Sequence, residues 1–253
     1  MINLKFNFNK GEKVLKTNEK IYIIIPAYNE EENVELVVKQ WYKILGLGGI
    51  DSKLVIADSG STDKTHDILL KLKEEYSQLE IISECKKEHG PKVIYLCDYA
   101  IKNNADWIFQ TDSDGQTNPE EFEDFWNKRN DYDAIIGNRS AREDGKTRAF
   151  VEKVVCFLLK IFFGVKVPDA NAPFRLMKSS LVEKYLYRLP SDYNIPNIMM
   201  TTYYSYYKEN IAFEEITFKP RQGGVNSVNI PKIIKIGWRA ILDFKRFKKG
   251  MKK

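Results

Sequence analysis

The sequence predicts an α/β fold built on a mostly parallel, twisted central sheet. Three observations carry that prediction. Residues 21–26, Ile-Tyr-Ile-Ile-Ile-Pro, form a β-branched run too apolar for a half-exposed strand, so it fits a central strand covered on both faces. Short apolar runs then alternate with helix-period segments as far as about residue 139, the rhythm of right-handed crossovers. Finally, the run 107–109 ends in Asp112 and Asp114, two carboxylates two residues apart. Side chains with that spacing on extended backbone share a face, and open α/β sheets place ligands at the carboxyl ends of their strands.

Taken in order, residues 1–20 read as a polar, basic arm with a short edge strand at 4–8 and no signal-peptide pattern. After the first strand, residues 26–30 turn the chain. Asn29 is placed to cap the next helix, with Glu32 completing a capping-box pair. Val34, Val37, Val38, Trp41, Ile44 and Leu45 form that helix's apolar stripe, and Gly46-Leu47-Gly48-Gly49 ends it. Residues 53–57 are a second strand, followed by the polar turn 58–63 and a helix bearing Ile68, Leu69 and Leu72. Ile81-Ile82 is a third strand. Gly90-Pro91 opens a helix that buries Val93, Cys97, Ala100 and Ile101, with proline in a favoured first-turn position. The strand at 107–109 is followed by a helix at 119–129 and a strand at 132–138.

Beyond this point the rhythm changes. Residues 150–163 are a strongly apolar helix. A strand pair at 165–167 and 174–178 follows, then helices at 179–188 and 198–207 and a strand at 212–219. Tyr203, Tyr204, Tyr206 and Tyr207 are placed to line an acceptor groove, to sit at a membrane interface, or to pack in the core. With no repeat or low-complexity linker, residues 1–229 read as one domain. It has a nucleotide-type half at about 20–139 and an acceptor half at about 140–229. Residues 230–253 read as a basic amphipathic helix suited to anionic lipid. Ile230, Ile233, Ile234, Trp238, Ile241 and Phe244 fall on one side and most lysines and arginines on the other; packing on its own domain is the alternative.

Composition sets bounds. The 253 residues are 43% hydrophobic and 30% charged, enough for a substantial core. A net charge of +5 is too small to argue for a nucleic-acid partner. The apolar stretch at 154–167 is interrupted by Lys160 and Lys166, so no span is expected, and any membrane contact is peripheral, from the cytosolic face. Cys85, Cys97 and Cys156 form no paired pattern and read as reduced thiols.

The chemistry concentrates in the acidic turn. Two neighbouring carboxylates repel unless a cation lies between them, and oxygen ligands suit Mg²⁺ or Mn²⁺. Gln116 adds an oxygen nearby. A calcium-binding helix–loop–helix is excluded because the sixth loop position is Thr117 rather than glycine, and a strand precedes the loop.

Three motifs in order, Ile25-Pro26-Ala27-Tyr28-Asn29-Glu30, Asp58-Ser59-Gly60-Ser61-Thr62-Asp63 and Gln110-Thr111-Asp112-Ser113-Asp114-Gly115-Gln116, resemble the signature of family 2 glycosyltransferases of the GT-A fold. Gly137-Asn138-Arg139, Asp169-Ala170-Asn171-Ala172-Pro173-Phe174-Arg175 and Arg221-Gln222-Gly223-Gly224-Val225-Asn226-Ser227 resemble its polyprenyl-phosphate, dolichyl-phosphate mannose synthase-like branch. The resemblance implies inverting transfer of a sugar from a nucleoside-diphosphate sugar to a polyprenyl phosphate or a lipid-linked or surface glycan. A soluble or cell-wall glycan acceptor, or an inactive binder of nucleotide or glycan, are the alternatives.

It also implies roles. Pro26, Ala27, Tyr28, Glu30, Asp58 and Gly60 would hold the nucleoside and sugar, and Lys92 the phosphates. Asp112, Asp114 and Gln116 would hold the metal, with Asp112 also near the ribose. Ser59 departs from a second aspartate common in the family, which leaves the nucleobase open. Asp169 would act as general base toward a hydroxyl acceptor or orient an acceptor that is already ionised; pairing with Arg175 is the structural alternative. Arg139, Arg148 and Arg221 are the candidates for gripping phosphate, Arg221 on a glycine-bearing lid.

Overall fold

In the computed structural model, residues 17–140, 146–220 and 230–251 are described; for 146–147 and 230–238 this means the backbone alone. The strand expected at 4–8 lies outside them.

The strands are β1 Ile21–Ala27, β2 Lys53–Asp58, β3 Leu79–Ile82, β4 Trp107–Gln110, β5 Ala134–Asn138, β6 Arg175–Lys178 and β7 Ile211–Glu215. The helices are α1 Val34–Ile44, α2 Thr65–Glu75, α3 His89–Lys102, α4 Phe122–Asn127, α5 Lys146–Phe163, α6 Ser179–Leu186, α7 Pro196–Tyr206 and α8 Ile230–Gly250. The strands form one seven-stranded sheet in the order β3-β2-β1-β4-β6-β5-β7. All are parallel except β6, which runs antiparallel between β4 and β5.

Every residue of β1 is buried because both faces of the sheet are covered. Ile21, Ile23 and Ile25 face a core shared with Trp41 of α1, Leu69 of α2 and Phe122 of α4. Tyr22 and Ile24 face the other core, filled from α3, α5, α6 and α7. Trp41 anchors the first core, its ring 5.1 Å from that of Phe109 and 6.0 Å from that of Phe174.

Four local expectations change. Asn29 does not cap α1: it has φ 53°, and its side-chain oxygen accepts from the Thr62 amide at 2.8 Å. The helix instead starts at Val34, where the Glu30 carbonyl accepts from the Asn33 and Val34 amides. Residues 165–167 form no strand; β6 finds its partners in β4 and β5. Tyr203 and Tyr204 pack in the core rather than on a membrane face, Tyr203 stacked on Tyr185, and Tyr203 also lines a cavity with Arg188, Tyr207 and Arg246. Lastly, the apolar face of the second half of α8 turns inward: Ala240 and Phe244 are buried, Phe244 lies 5.6 Å from Phe163, and Phe247 meets Tyr193 at 5.2 Å. From residue 240 onward that face packs on the protein itself.

Candidate active site

The carboxyl ends of β1, β2, β4 and β5 and the start of β6 lie along one edge of the sheet, as their register requires. The loops there are tied to one another. The Ser61 hydroxyl is 3.0 Å from the Asn29 amide and Thr65 Oγ1 is 2.8 Å from the Glu30 amide, each accepting from it. Asp58, buried at the end of β2, accepts from Ser61 Oγ and contacts His66 Nδ1 at 3.1 Å. Gly60 takes φ 76°, a left-handed conformation that glycine adopts without strain, with the stem of Lys87 beside it.

The acidic turn lies just past β4, not on it. Burial still alternates, with Thr111 and Ser113 inward and Asp112 and Asp114 partly exposed. The inward residues fix the turn: Ser113 Oγ donates to the Pro26 carbonyl at 3.0 Å, and the Thr111 and Thr117 hydroxyls are 2.8 Å apart. Asp112 Oδ1 lies 3.1 Å from His89 Nε2, and Asp114 Oδ1 accepts from the Gln116 amide at 3.1 Å. Gly115, between them, has φ 69°. Two carboxylates on an outward turn fit Mg²⁺ or Mn²⁺, which bind one or two carboxylates and complete their shell with water and substrate phosphate. Among the described residues no group of three or more His, Cys, Asp or Glu side chains is gathered into a metal cage. Gln116, expected as a third ligand, is buried, and its Nε2 donates to the Lys219 carbonyl at 2.7 Å.

Residues around the start of α3 connect the two sides. Ser59 Oγ donates to the Lys86 carbonyl at 3.0 Å, and His89 reaches Asp112. His89 is exposed, and the Asp112 hydrogen bond and charge raise its pKa. Lys92, expected at the phosphates, lies in the first turn of α3. It is buried, it donates to the Ala27 carbonyl, and burial pushes its ammonium pKa down. The Tyr28 ring, half-buried, has Lys87 Nζ 4.6 Å and Lys92 Nζ 5.5 Å from its centroid. Glu30 is buried and accepts from Asn33 Nδ2 at 2.9 Å.

Past β5 and before β6, Arg139 and Asp169 form a buried two-pronged pair. Nε donates to Oδ2 at 2.7 Å and Nη2 to Oδ1 at 2.9 Å. Burial alone would raise the Asp169 pKa; the Arg139 guanidinium overrides it and holds the carboxyl below the usual range. Arg175 is not its partner. Fully buried, Arg175 donates to the carbonyls of Ala170, Ala172 and Asn197 and so pins the loop that carries Asp169. Glu152 of α5 completes the cluster, accepting from the Ala170 amide at 2.8 Å and lying 3.5 Å from Arg139 Nη2. Burial and the neighbouring Asp169 carboxylate push its pKa up. Sequence reasoning did not single out Glu152, and it gave His89 no role beyond the surface. The available signals were a lone acid in an otherwise apolar and basic helix, and a histidine at a helix start. Arg148 is half-buried in the first turn of α5, and Arg221 lies outside the described residues.

Residues 22–186 match the model of Glycosyl transferase family 2. An undecaprenyl-phosphate 4-deoxy-4-formamido-L-arabinose transferase from Photorhabdus laumondii is 25% identical over 169 residues, which are 66% of this chain and 52% of the relative. An uncharacterized glycosyltransferase from Synechocystis is 29% identical over 170 residues, 64% of this chain and 51% of the relative. The chain thus spans about half the length of these curated relatives. Glucosyl-3-phosphoglycerate synthase from Mycobacterium tuberculosis, solved with Mn²⁺, UDP-glucose and glycerol 3-phosphate, superposes with a TM-score of 0.64 at 17% identity, covering 93% of this chain and 82% of that one. The sheet and helices are those of the GT-A fold that the motifs implied.

Proposed function

The chain belongs to glycosyl transferase family 2, and on that premise we propose that it moves a sugar, with inversion, from a nucleoside-diphosphate sugar to a polyprenyl phosphate. The observation that carries the choice of acceptor is the Arg139–Asp169 pair. A base that must deprotonate a hydroxyl works best with a pKa near the working pH. Asp169 is held in the opposite direction, ionised and clamped. A lipid monophosphate is itself largely ionised near neutrality and brings its own nucleophilic oxygen. The name of the Photorhabdus relative, an undecaprenyl-phosphate transferase, supports the same acceptor class.

In this reading the β1 and β2 loops, with Tyr28 and Asp58, hold the nucleoside. Asp112 and Asp114 would hold a divalent cation, which when bound supplies counter-charge to the departing diphosphate. An acceptor phosphate oxygen forms the new bond to the anomeric carbon, and the old carbon–oxygen electron pair leaves with the nucleoside diphosphate. Asp169 orients the acceptor loop through Arg139, and Arg148 and Arg221 are the arginines that the motifs assign to the acceptor phosphate. A glycan hydroxyl acceptor is the second reading; it would need a base other than a clamped Asp169.

A thermal-shift screen of nucleoside diphosphates with Mn²⁺ identifies the donor: one base should raise the melting temperature well above the others. Release of that diphosphate from its sugar nucleotide should then rise on adding a short-chain polyprenyl phosphate and disappear in Asp114→Ala. Stimulation by a free glycan but not by the lipid phosphate would overturn the acceptor assignment.

A further inference from the structure

Helix α5 carries an apolar stripe that the described fold leaves open. Phe150, Val154, Phe157 and Ile161 are 67%, 39%, 61% and 58% exposed. Their spacing of four, three and four residues puts them on one face. The opposite side of the same helix buries Leu159 and Phe163 in the core. A helix apolar on both sides is stable only when both are covered.

The charges beside the stripe state what covers it. Lys153 and Lys160 are exposed and fall along one border of the stripe, and exposed Lys166 follows the helix. The one carboxylate of α5, Glu152, turns inward to Arg139 and the Ala170 amide. Helix α8 packs alongside through Phe244 on Phe162 and Phe163, and its residues Arg239, Lys245, Arg246, Lys248 and Lys249 are exposed. An apolar ridge bordered by lysines complements a surface with an oily interior and anionic headgroups. Against a second copy of itself, the same ridge would bring like charges together.

We propose that the Phe150, Val154, Phe157 and Ile161 face of α5 docks the protein on an anionic lipid bilayer, with the exposed basic residues of α8 from Arg239 onward contributing. The rings enter the acyl boundary while the lysine stems reach back to the headgroup phosphates. The inference rests on the lipid-phosphate reading above, and it deepens it. Glu152, on the opposite, inward side of the same helix, touches the Arg139–Asp169 pair, so one helix thickness separates the docked face from that side of the site.

Flotation of the full chain with phosphatidylcholine vesicles containing about 30 mol% phosphatidylglycerol tests this. The wild type should float. Binding should fall about tenfold on pure phosphatidylcholine and about tenfold in the Phe157→Glu/Ile161→Glu double variant. Both changed positions are exposed, so the double variant should keep its circular dichroism melt and its nucleoside-diphosphate release without vesicles. A wild type that stays at the bottom, or a double variant that floats equally well, overturns the docking face. So does a wild-type dimer, seen by light scattering, that the double variant dissolves without any vesicle binding. Flotation that persists in a chain releasing no nucleoside diphosphate supports the docking face and overturns only the transferase reading.

Discussion

Asp169 and Arg139 act as a unit. Removing the cation leaves a buried carboxylate with its main partner gone, which costs about 3–5 kcal/mol in comparable buried pairs. Arg139→Ala should therefore lower the denaturant midpoint strongly and abolish transfer, whereas a purely surface arginine would change neither. Glu152 shows the opposite linkage. Its folded-state pKa is raised, so the stability it lends is complete below its ordinary value near 4.5 and is lost as pH rises through the folded value. Glu152→Gln does not ionise and keeps an acceptor for the Ala170 amide. Melts of both proteins from acid to neutral pH should show the variant gaining on the wild type by about 2–4 °C as pH rises. A constant gap would place the titration elsewhere. The sequence made Asp169 and Arg139 visible as candidates but did not pair them, because side chains 30 residues apart meet only through the strand order. Glu152 was hidden for the same reason: a lone acid on a helix has no legible partner until the helix is docked.

At the scale of elements, periodicity and turn chemistry located nearly every strand and helix, including the start of α3 at the Gly90-Pro91 pair. The failures have physical causes. Asn29 has the composition of a cap, yet the neighbouring loop after β2 offers it a better partner in Thr62. Residues 165–167 have strand-like composition, but β4 and β5 are already bridged by β6. The amphipathic pattern of α8 was legible; that its apolar face would meet α5 and α7 was not, since the same pattern serves protein or lipid equally well. Gly90 exposes a constraint of this kind. A Cβ there would lie 2.4 Å from the Tyr193 carbonyl oxygen and 2.5 Å from Asn194 backbone. Gly90→Ala should cost about 1–3 kcal/mol by forcing two backbones apart. It should also weaken nucleotide binding, because the same helix start carries His89 to Asp112. Calorimetric melting and nucleotide titration measure the two effects, and an unchanged melt would mean the α3 start yields freely.

For the whole molecule, the six parallel strands and the single antiparallel β6 bring the acidic turn, the loops after β1 and β2 and the Arg139–Asp169 pair to one edge. That convergence follows from topology, and the ordered motifs made its first half readable in the sequence. Strand order in the second half was not readable, because β6 inserts between two strands that precede it in the chain. The measurement closest to the central claim is nucleoside-diphosphate release from the matching sugar nucleotide, with polyprenyl phosphate present, in Mn²⁺ and in chelator. Transfer should require the cation in the wild type and be lost in both Asp112→Ala and Asp114→Ala with the fold intact. Full transfer in chelator, or by either variant, would contradict the account.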